Sequence, residues 1–320
     1  MKLFLPVLIL TLLLATVSLF LGVSNVSLSA ILTGEAVEMQ LLVLGASRLP
    51  RTIALMLAGS GMAVAGTIMQ MLARNRFVEP STAGTVESAG LGMLTVLLLA
   101  PELPVFAKML VASLFSLAGT ALFLAILRRI PLRSVVMVPL IGIMLGGVIS
   151  AVTAFFAYRF DMMQSMGAWT NGDFSTVLRG RYELLWIALG LTVAAYIAAD
   201  RFTVAGMGED FATNLGLDYR TVVMLGLVIV SLVTASVVVT AGMVPFVGLI
   251  VPNLVSMTMG DSMRRTLPWI ALSGAALVLA CDMIGRVINA PFEIPVGSVL
   301  GVLGSIVFLY LLLRRRSHVA

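Results

Sequence analysis

The residues able to do chemistry are scarce and far apart. Among 320 residues there is one histidine, His318, and one cysteine, Cys281. A lone cysteine rules out an internal disulfide and any multi-cysteine metal site, so no metal site is expected. The carboxylates fall on different segments, and no set of nucleophile, base and orienting group can be assembled from them. Asp282 and Arg286 stand four apart, the spacing at which helical side chains pair, and the simplest reading is that Asp282 holds the Arg286 side chain in place. Glu87 lies in an apolar run with no partner near it in sequence. Two readings of it stay open, lining of a pathway and a buried pair with a distant residue. Met162, Met163 and Met166 offer soft, adaptable surface to a bulky cargo, whereas most of the 20 methionines are scattered and read as core filling. The chain has no Gly-x-x-x-x-Gly-Lys-Ser/Thr loop, and its only lysines are Lys2 and Lys108. If ATP drives this protein, another chain binds it. The chain itself is expected to hold no cofactor and to catalyse no reaction.

The elements that carry these residues are membrane spans. The chain is 60% hydrophobic and 11% charged, against about 25% charged in a soluble domain, and its mean hydropathy is +1.10. Apolar runs of about twenty residues recur along the whole length. The expectation is an all-α polytopic membrane protein, residues 1–320 forming a single transmembrane domain of about ten helices. The first run, 3–21, follows Lys2 and is longer than a signal-peptide core of about 7–15 residues, so it reads as an uncleaved span. A polar loop with Ser24, Asn25, Glu35 and Glu38 follows. Arg48-Leu-Pro-Arg51 opens the second span, which ends near Leu72. Further spans are expected at about 81–99, 107–127, 134–157, 182–199, 221–242, 245–260, from Pro268, and at 296–313. Residues 158–181 read as a mixed loop containing a half-helix.

Basic residues orient the bundle. With the N-terminus inside, the inner side holds Lys2, Arg74, Arg76, Arg128, Arg129, Arg133, Arg201, Arg220, Arg264, Arg265, Arg314, Arg315 and Arg316, thirteen in all. The outer side holds Arg48, Arg51, Lys108, Arg159, Arg179, Arg181 and Arg286, seven in all. This bias follows the positive-inside rule and puts both termini in the cytoplasm. It also accounts for the net charge of +5 without a groove for nucleic acid.

Asp200 to Arg220 is the longest polar stretch and falls on the inner side. Within it Gly208 to Gly216 reads as a short helix, with Glu209 and Asp210 at its front, Phe211, Ala212 and Leu215 on one stripe, and Gly216 as a stop. From the residues alone this is either a surface on which a soluble partner pushes or a solvated loop joining two spans.

Four stretches, in order on such a chain, resemble one family. They are Arg48-Leu-Pro-Arg51 with Gly59, Gly66, Gln70, Asn75 and Pro80; Gly208 to Leu217, of the form Gly-x-x-x-Ala-x-x-Leu-Gly; Ala241-Gly-Met-Val-Pro-Phe-Val-Gly-Leu-Ile-Val-Pro252; and Cys281-Asp-Met-Ile-Gly-Arg286 with Glu293-Ile-Pro-Val-Gly297. Together they resemble the permease subunits of the iron-siderophore, haem and vitamin B12 ATP-binding-cassette (ABC) importers. The resemblance implies a type II importer permease in a bacterial cytoplasmic membrane. It implies a second permease subunit, identical or sister, two cytoplasmic ABC ATPase subunits that bind ATP and Mg, and an extracytoplasmic substrate-binding protein. It implies that the helix at 208–217 couples to the ATPase through Glu209, Asp210, Phe211, Ala212, Leu215 and Gly216. It further implies that Arg48, Arg51 and Arg286 stand outward at span ends and receive carboxylates of the binding protein, for which the planar fork of arginine is suited. Gln70, Glu87, Met162, Met163 and Met166 are the candidate pathway residues.

The chain departs from the family's pattern at Asn75-Arg-Phe-Val-Glu-Pro80, at Asn253 and Ser256, and at Glu87. The first departure is similar to the branch that imports catecholate siderophores, so a ferric siderophore is the expected cargo, with haem and vitamin B12 as alternatives. The rival class is an ion-coupled secondary transporter using Glu87 or Asp282, which requires no ATPase.

Overall fold

The computed structural model describes residues 4–22, 38–130 and 136–316, and among these every regular element is helical. Lys2, Ser24, Asn25, Glu35, Arg133 and His318 lie outside the described residues.

The first span is α1, Phe4–Phe20. The second begins earlier than expected. Glu38 starts α2 (Glu38–Val43), which runs through a π-turn at Leu44–Arg48 into α3, Leu49–Leu72. Pro50 lacks an amide N–H and would interrupt a regular helix, and the wider turn just before it lets the chain continue. The combined helix is 35 residues long and its most apolar stretch is 83% buried, so α3 is the central post of the bundle. Small residues make this possible. A methyl group on Gly66 would stand 2.1 Å from the Gly248 carbonyl oxygen, and one on Gly59 would stand 2.4 Å from that of Gly274. Backbones that touch this closely gain dispersion where lipid offers no hydrophobic driving force.

After a loop with a single 3-10 turn at Pro80–Thr82 come α4 (Thr85–Leu99), α5 (Val105–Arg129) and α6 (Met137–Arg159). The half-helix expected in 158–181 is α7, Met163–Thr170. The sixth span is α8 (Leu185–Ile197), bent by 67° into α9 (Ala199–Ala205). Then come α10 (Glu209–Asn214), α11 (Tyr219–Ala241), α12 (Val247–Met259), α13 (Met263–Ile288) and α14 (Val296–Arg316). Pro268 does not open the ninth span; it lies inside α13, within two turns of the helix start.

Among the described residues, five helices are long and apolar enough to cross a membrane, the bent pair makes a sixth if it is one span, and α1, α4, α12 and α14 are shorter apolar helices. These ten apolar segments are roughly consistent with the expectation of about ten spans. Their chief contacts bring α13, α12, α11 and α8 around α3, while α4, α5 and α6 form a second layer against α11.

Candidate functional site: a short exposed helix and a buried arginine cluster

α10 forms where sequence signals for both ends coincide. Gly208 precedes it at φ 118° and Gly216 follows it at φ 78°, conformations that cost a glycine little. The Leu217 amide donates to Ala212 O at 3.0 Å and the Gly216 amide to Thr213 O at 2.9 Å, the crossed pair that ends a helix in a Schellman motif. Two residues on, Asp218 starts α11 by accepting from the Thr221 amide at 3.2 Å and from the Thr221 hydroxyl. Those bonds, the hydroxyl's foremost, hold the Asp218 carboxyl below its ordinary range.

The expected stripe divides in two. Ala212 is fully buried, whereas Phe211 is 49% and Leu215 62% exposed. Residues 211 and 215 are one turn apart and share a face; Ala212 points the other way, into the protein. Glu209, Asp210 and Gly216 are exposed as well. Two large apolar side chains thus project from a polar segment at the end of the bundle. Behind them, α9 is tied to the head of α13 by the Met263 amide donating to Thr203 Oγ1 at 3.2 Å and by an exposed Arg264–Asp200 pair at 2.8 Å.

The three arginines do not stand outward, which corrects the placement expected for them. Arg48, Arg51 and Arg286 are 7%, 7% and 5% exposed. Arg51 donates through Nη2 to Asp282 Oδ1 at 2.6 Å, through Nε to the same oxygen at 3.2 Å, and through Nη1 to Glu293 Oε2 at 2.6 Å. Arg286 pairs with Asp282 as the spacing suggested. It also donates to Ser18 O and Leu21 O, each at 3.0 Å, and Arg48 donates to Leu21 O. Ionised groups at span ends are held inside when opposite charges meet them there. Here the ends of α1, α3 and α13 and the loop before α14 close on one another. Three guanidinium groups gather there with Asp282 and Glu293. Glu293, with its side chain 25% exposed, is the open edge of the cluster.

The pathway candidates are not brought together. Gln70, at the C-terminal end of α3, donates to Gly248 O at 3.1 Å and lines a cavity of about 520 Å³ with Arg74, Arg76, Ser256 and Asp261. Asn253 closes the cavity's neighbourhood by donating to Arg76 O at 2.8 Å. Met162, Met163 and Met166 lie at the opposite end, where Met243, just past α11, donates to Trp169 O. Glu87 points at α6, where a methyl group on Gly146 would stand 3.2 Å from its carboxyl carbon. Its Oε2 is buried and makes no hydrogen bond among the described residues, and none of the ion pairs found among them includes it.

Glu79 was noted in sequence only as part of a departure from the family's pattern. It is fully buried. Its Oε1 accepts from the Phe246 amide at 2.7 Å, at the head of α12, and from the Ser81 hydroxyl. Its own amide donates to Thr82 Oγ1 at 3.0 Å. The legible signal was local: an acid, a proline, and a threonine three residues on, the spacing of a reciprocal cap. Its reach to α12 was not legible.

The FecCD transport family matches residues 9–314. The chain belongs to that family. Relatives run nearly end to end with this FecCD member. It is 47% identical over 310 residues to the petrobactin import system permease protein YclN of Bacillus subtilis, covering 97% of this chain and 98% of that one. It is 44% identical to the ferric-anguibactin transport system permease protein FatD of Vibrio anguillarum, covering 94% and 95%. Among solved structures, a chain described as part of a metal-chelate type ABC transporter in an inward-facing conformation superposes with a TM-score of 0.80 at 24% identity, over 97% of this chain and 98% of that chain. That likeness establishes a shared fold, a multi-pass helical bundle.

Proposed function

We propose that this FecCD-family chain is the permease subunit of an ABC importer that carries a ferric siderophore across the bacterial cytoplasmic membrane. The observation that carries the reading is the 47% identity, over nearly the whole of both chains, to a permease named for petrobactin import. The lack of a phosphate loop in this chain supports placing ATP hydrolysis on a separate subunit. The exposed pair Phe211 and Leu215 supports α10 as the element that the ATPase grips. Two ATPase subunits closing on ATP would drag two such helices, and each pulls α11 through the Asp218 cap and α13 through α9. The basic bias of thirteen to seven supports cytoplasmic termini. α6 is the least buried of the long spans, 22% of its most apolar stretch, and its face at Ile143, Met144 and Val148 is open for the second permease subunit. A binding protein would deliver the chelate at the opposite end from α10. The metal arrives wrapped in its chelator, so the permease needs no ligands of its own.

The test is uptake of iron-55 petrobactin by cells deleted for the chain and its close relatives and complemented with it. Uptake should require the chain and the phosphate-loop lysine of the co-purifying ATPase. Uptake that persists without that lysine, driven by the proton gradient, would replace the reading with ion-coupled transport.

A further inference from the structure

Two clefts follow one another along the seam between α5 and α11. The first, of about 340 Å³, lies at the α10 end and is lined by Ala121, Leu124, Arg128, Glu209, Arg220 and Met224, among others. An adjoining hollow of about 170 Å³ adds Arg74 and shares Arg128 and Glu209. The second cleft, of about 330 Å³, lies further toward the middle of the bundle, lined mainly by Leu114, Leu117, Val228 and Leu232 with Ser113 and Ser231 among them. One end of the seam is cationic and the rest is mainly hydrocarbon.

The charge at the cationic end is not spent inside the protein. Among the described residues, Arg74, Arg128 and Arg220 make no ion pair. Asp218 is near enough to Arg220 to feel its charge, but it is held by Thr221. Counting Glu209 and the nearby Asp218, the three guanidinium groups still leave a net positive charge. A guanidinium at a span end ordinarily snorkels to water, stem in lipid and head outside. Here Arg128 of α5 and Arg220 at the start of α11 line one cleft, Arg74, two residues past α3, lines the hollow beside it, and the apolar cleft comes next along the seam. Arg128 and Leu117 are eleven residues apart on α5, about 16 Å at ~1.5 Å per residue, which is roughly half of a ~30 Å hydrocarbon core.

We infer that the α5–α11 seam binds one anionic phospholipid, its phosphate held by Arg128, Arg220 and Arg74 and an acyl chain lying along Leu124, Met224 and Leu117. Basic pockets between spans on the cytoplasmic side suit such head groups. Glu209 of α10 is a wall of the same cleft, so the lipid touches the element proposed to meet the ATPase and braces it against two spans. The choice of leaflet rests on the cytoplasmic placement proposed above. The binding itself does not, and the following test reads binding without reference to sidedness.

The full chain, purified in detergent and mixed with equimolar phosphatidylglycerol and phosphatidylcholine, is measured by native mass spectrometry. One phosphatidylglycerol per chain should be retained, about tenfold or more over phosphatidylcholine. The double variant Arg128→Gln/Arg220→Gln should lose that preference. Met224→Trp, at a half-exposed position, should also lose the lipid by filling the groove with every charge in place. Arg129→Gln, at an exposed position on the same helix end outside the cleft, should retain it. Equal retention of the two lipids overturns the inference, as does a loss with Arg129→Gln as large as with the double variant. So does displacement of phosphatidylglycerol by millimolar inorganic phosphate together with full retention in Met224→Trp, which would leave a phosphate site without a lipid groove.

Discussion

Arg51 and Asp282 are 231 positions apart in the chain and 2.6 Å apart in the fold. The pair joins the central helix α3 to α13, and Arg286 shares the same carboxylate. Asp282→Asn would leave two guanidinium groups buried against Glu293 alone. Breaking a buried pair from one side typically costs about 3–5 kcal/mol, because the remaining charge is uncompensated. The variant should melt well below wild type in detergent, and Arg51→Met/Asp282→Leu should recover part of the loss. If Asp282→Asn melts with wild type, the cluster is not a brace.

The docking role proposed for these arginines must now compete with an internal partner. A binding-protein carboxylate that reaches Arg51 has to displace Glu293, the least buried member of the cluster. Glu293→Gln should therefore tighten the complex with the binding protein at low ionic strength. Even a fully exposed pair is worth about 0.2–1 kcal/mol, and this one is more buried, so the gain should reach about fivefold or more and should fade in high salt. Unchanged affinity at low salt means that the arginines serve the fold alone.

Phe211 and Leu215 are open while Ala212 is buried, so substitutions on α10 should separate binding from folding. Leu215→Asp should abolish co-purification of the ATPase and leave the melting temperature of the permease unchanged. Ala212→Arg should lower both, because the side chain has no space. Normal co-purification of the Leu215→Asp complex would remove α10 from the coupling role.

The close backbone contact of α3 with α12 can be probed by one methyl group. Gly66→Ala brings a carbon against the Gly248 backbone, whereas Gly90→Ala on α4 meets nothing within 4 Å. Overpacking of this kind costs typically about 1–3 kcal/mol. The folded fraction after detergent extraction should fall for Gly66→Ala and stay level for Gly90→Ala. Equal yields would mean that the two helices separate at little cost.

Glu87 tests the energy source. Asp282 is held by two arginines, whereas Glu87 lies in a span with no ion pair among the described residues, so it is the carboxylate of the two that an ion-coupled mechanism would use. With ATP as the driver, Glu87→Gln should keep uptake within about twofold of wild type, less than 0.5 kcal/mol on the barrier. Loss of uptake while the coupled ATPase activity persists would give Glu87 a role in the pathway itself.

Much of this protein was legible in its residues. Apolar runs of span length report helices directly, because in lipid a backbone must satisfy its own hydrogen bonds and the helix does so locally. The ends of α10 were legible for the same reason: Gly208, Gly216 and the acids of its first turn act within one or two turns of themselves. The i,i+4 pair of Asp282 and Arg286 belongs to this local class. The start of the second span did not, since the π-turn at 44–48 that admits Pro50 leaves no compositional mark. Partners hundreds of positions apart were beyond reach as well. Arg51 looked like a docking residue because nothing near it in sequence shows that Asp282 and Glu293 arrive beside it. Glu79 looked like a variation in a loop because Phe246 lies on another span. The sequence by itself determined that the chain is a helical membrane permease with a short polar helix between two spans. Only the tertiary structure decided which charges are spent inside and which remain for partners. Burial and pairing are properties of converging helices, and no single segment carries them.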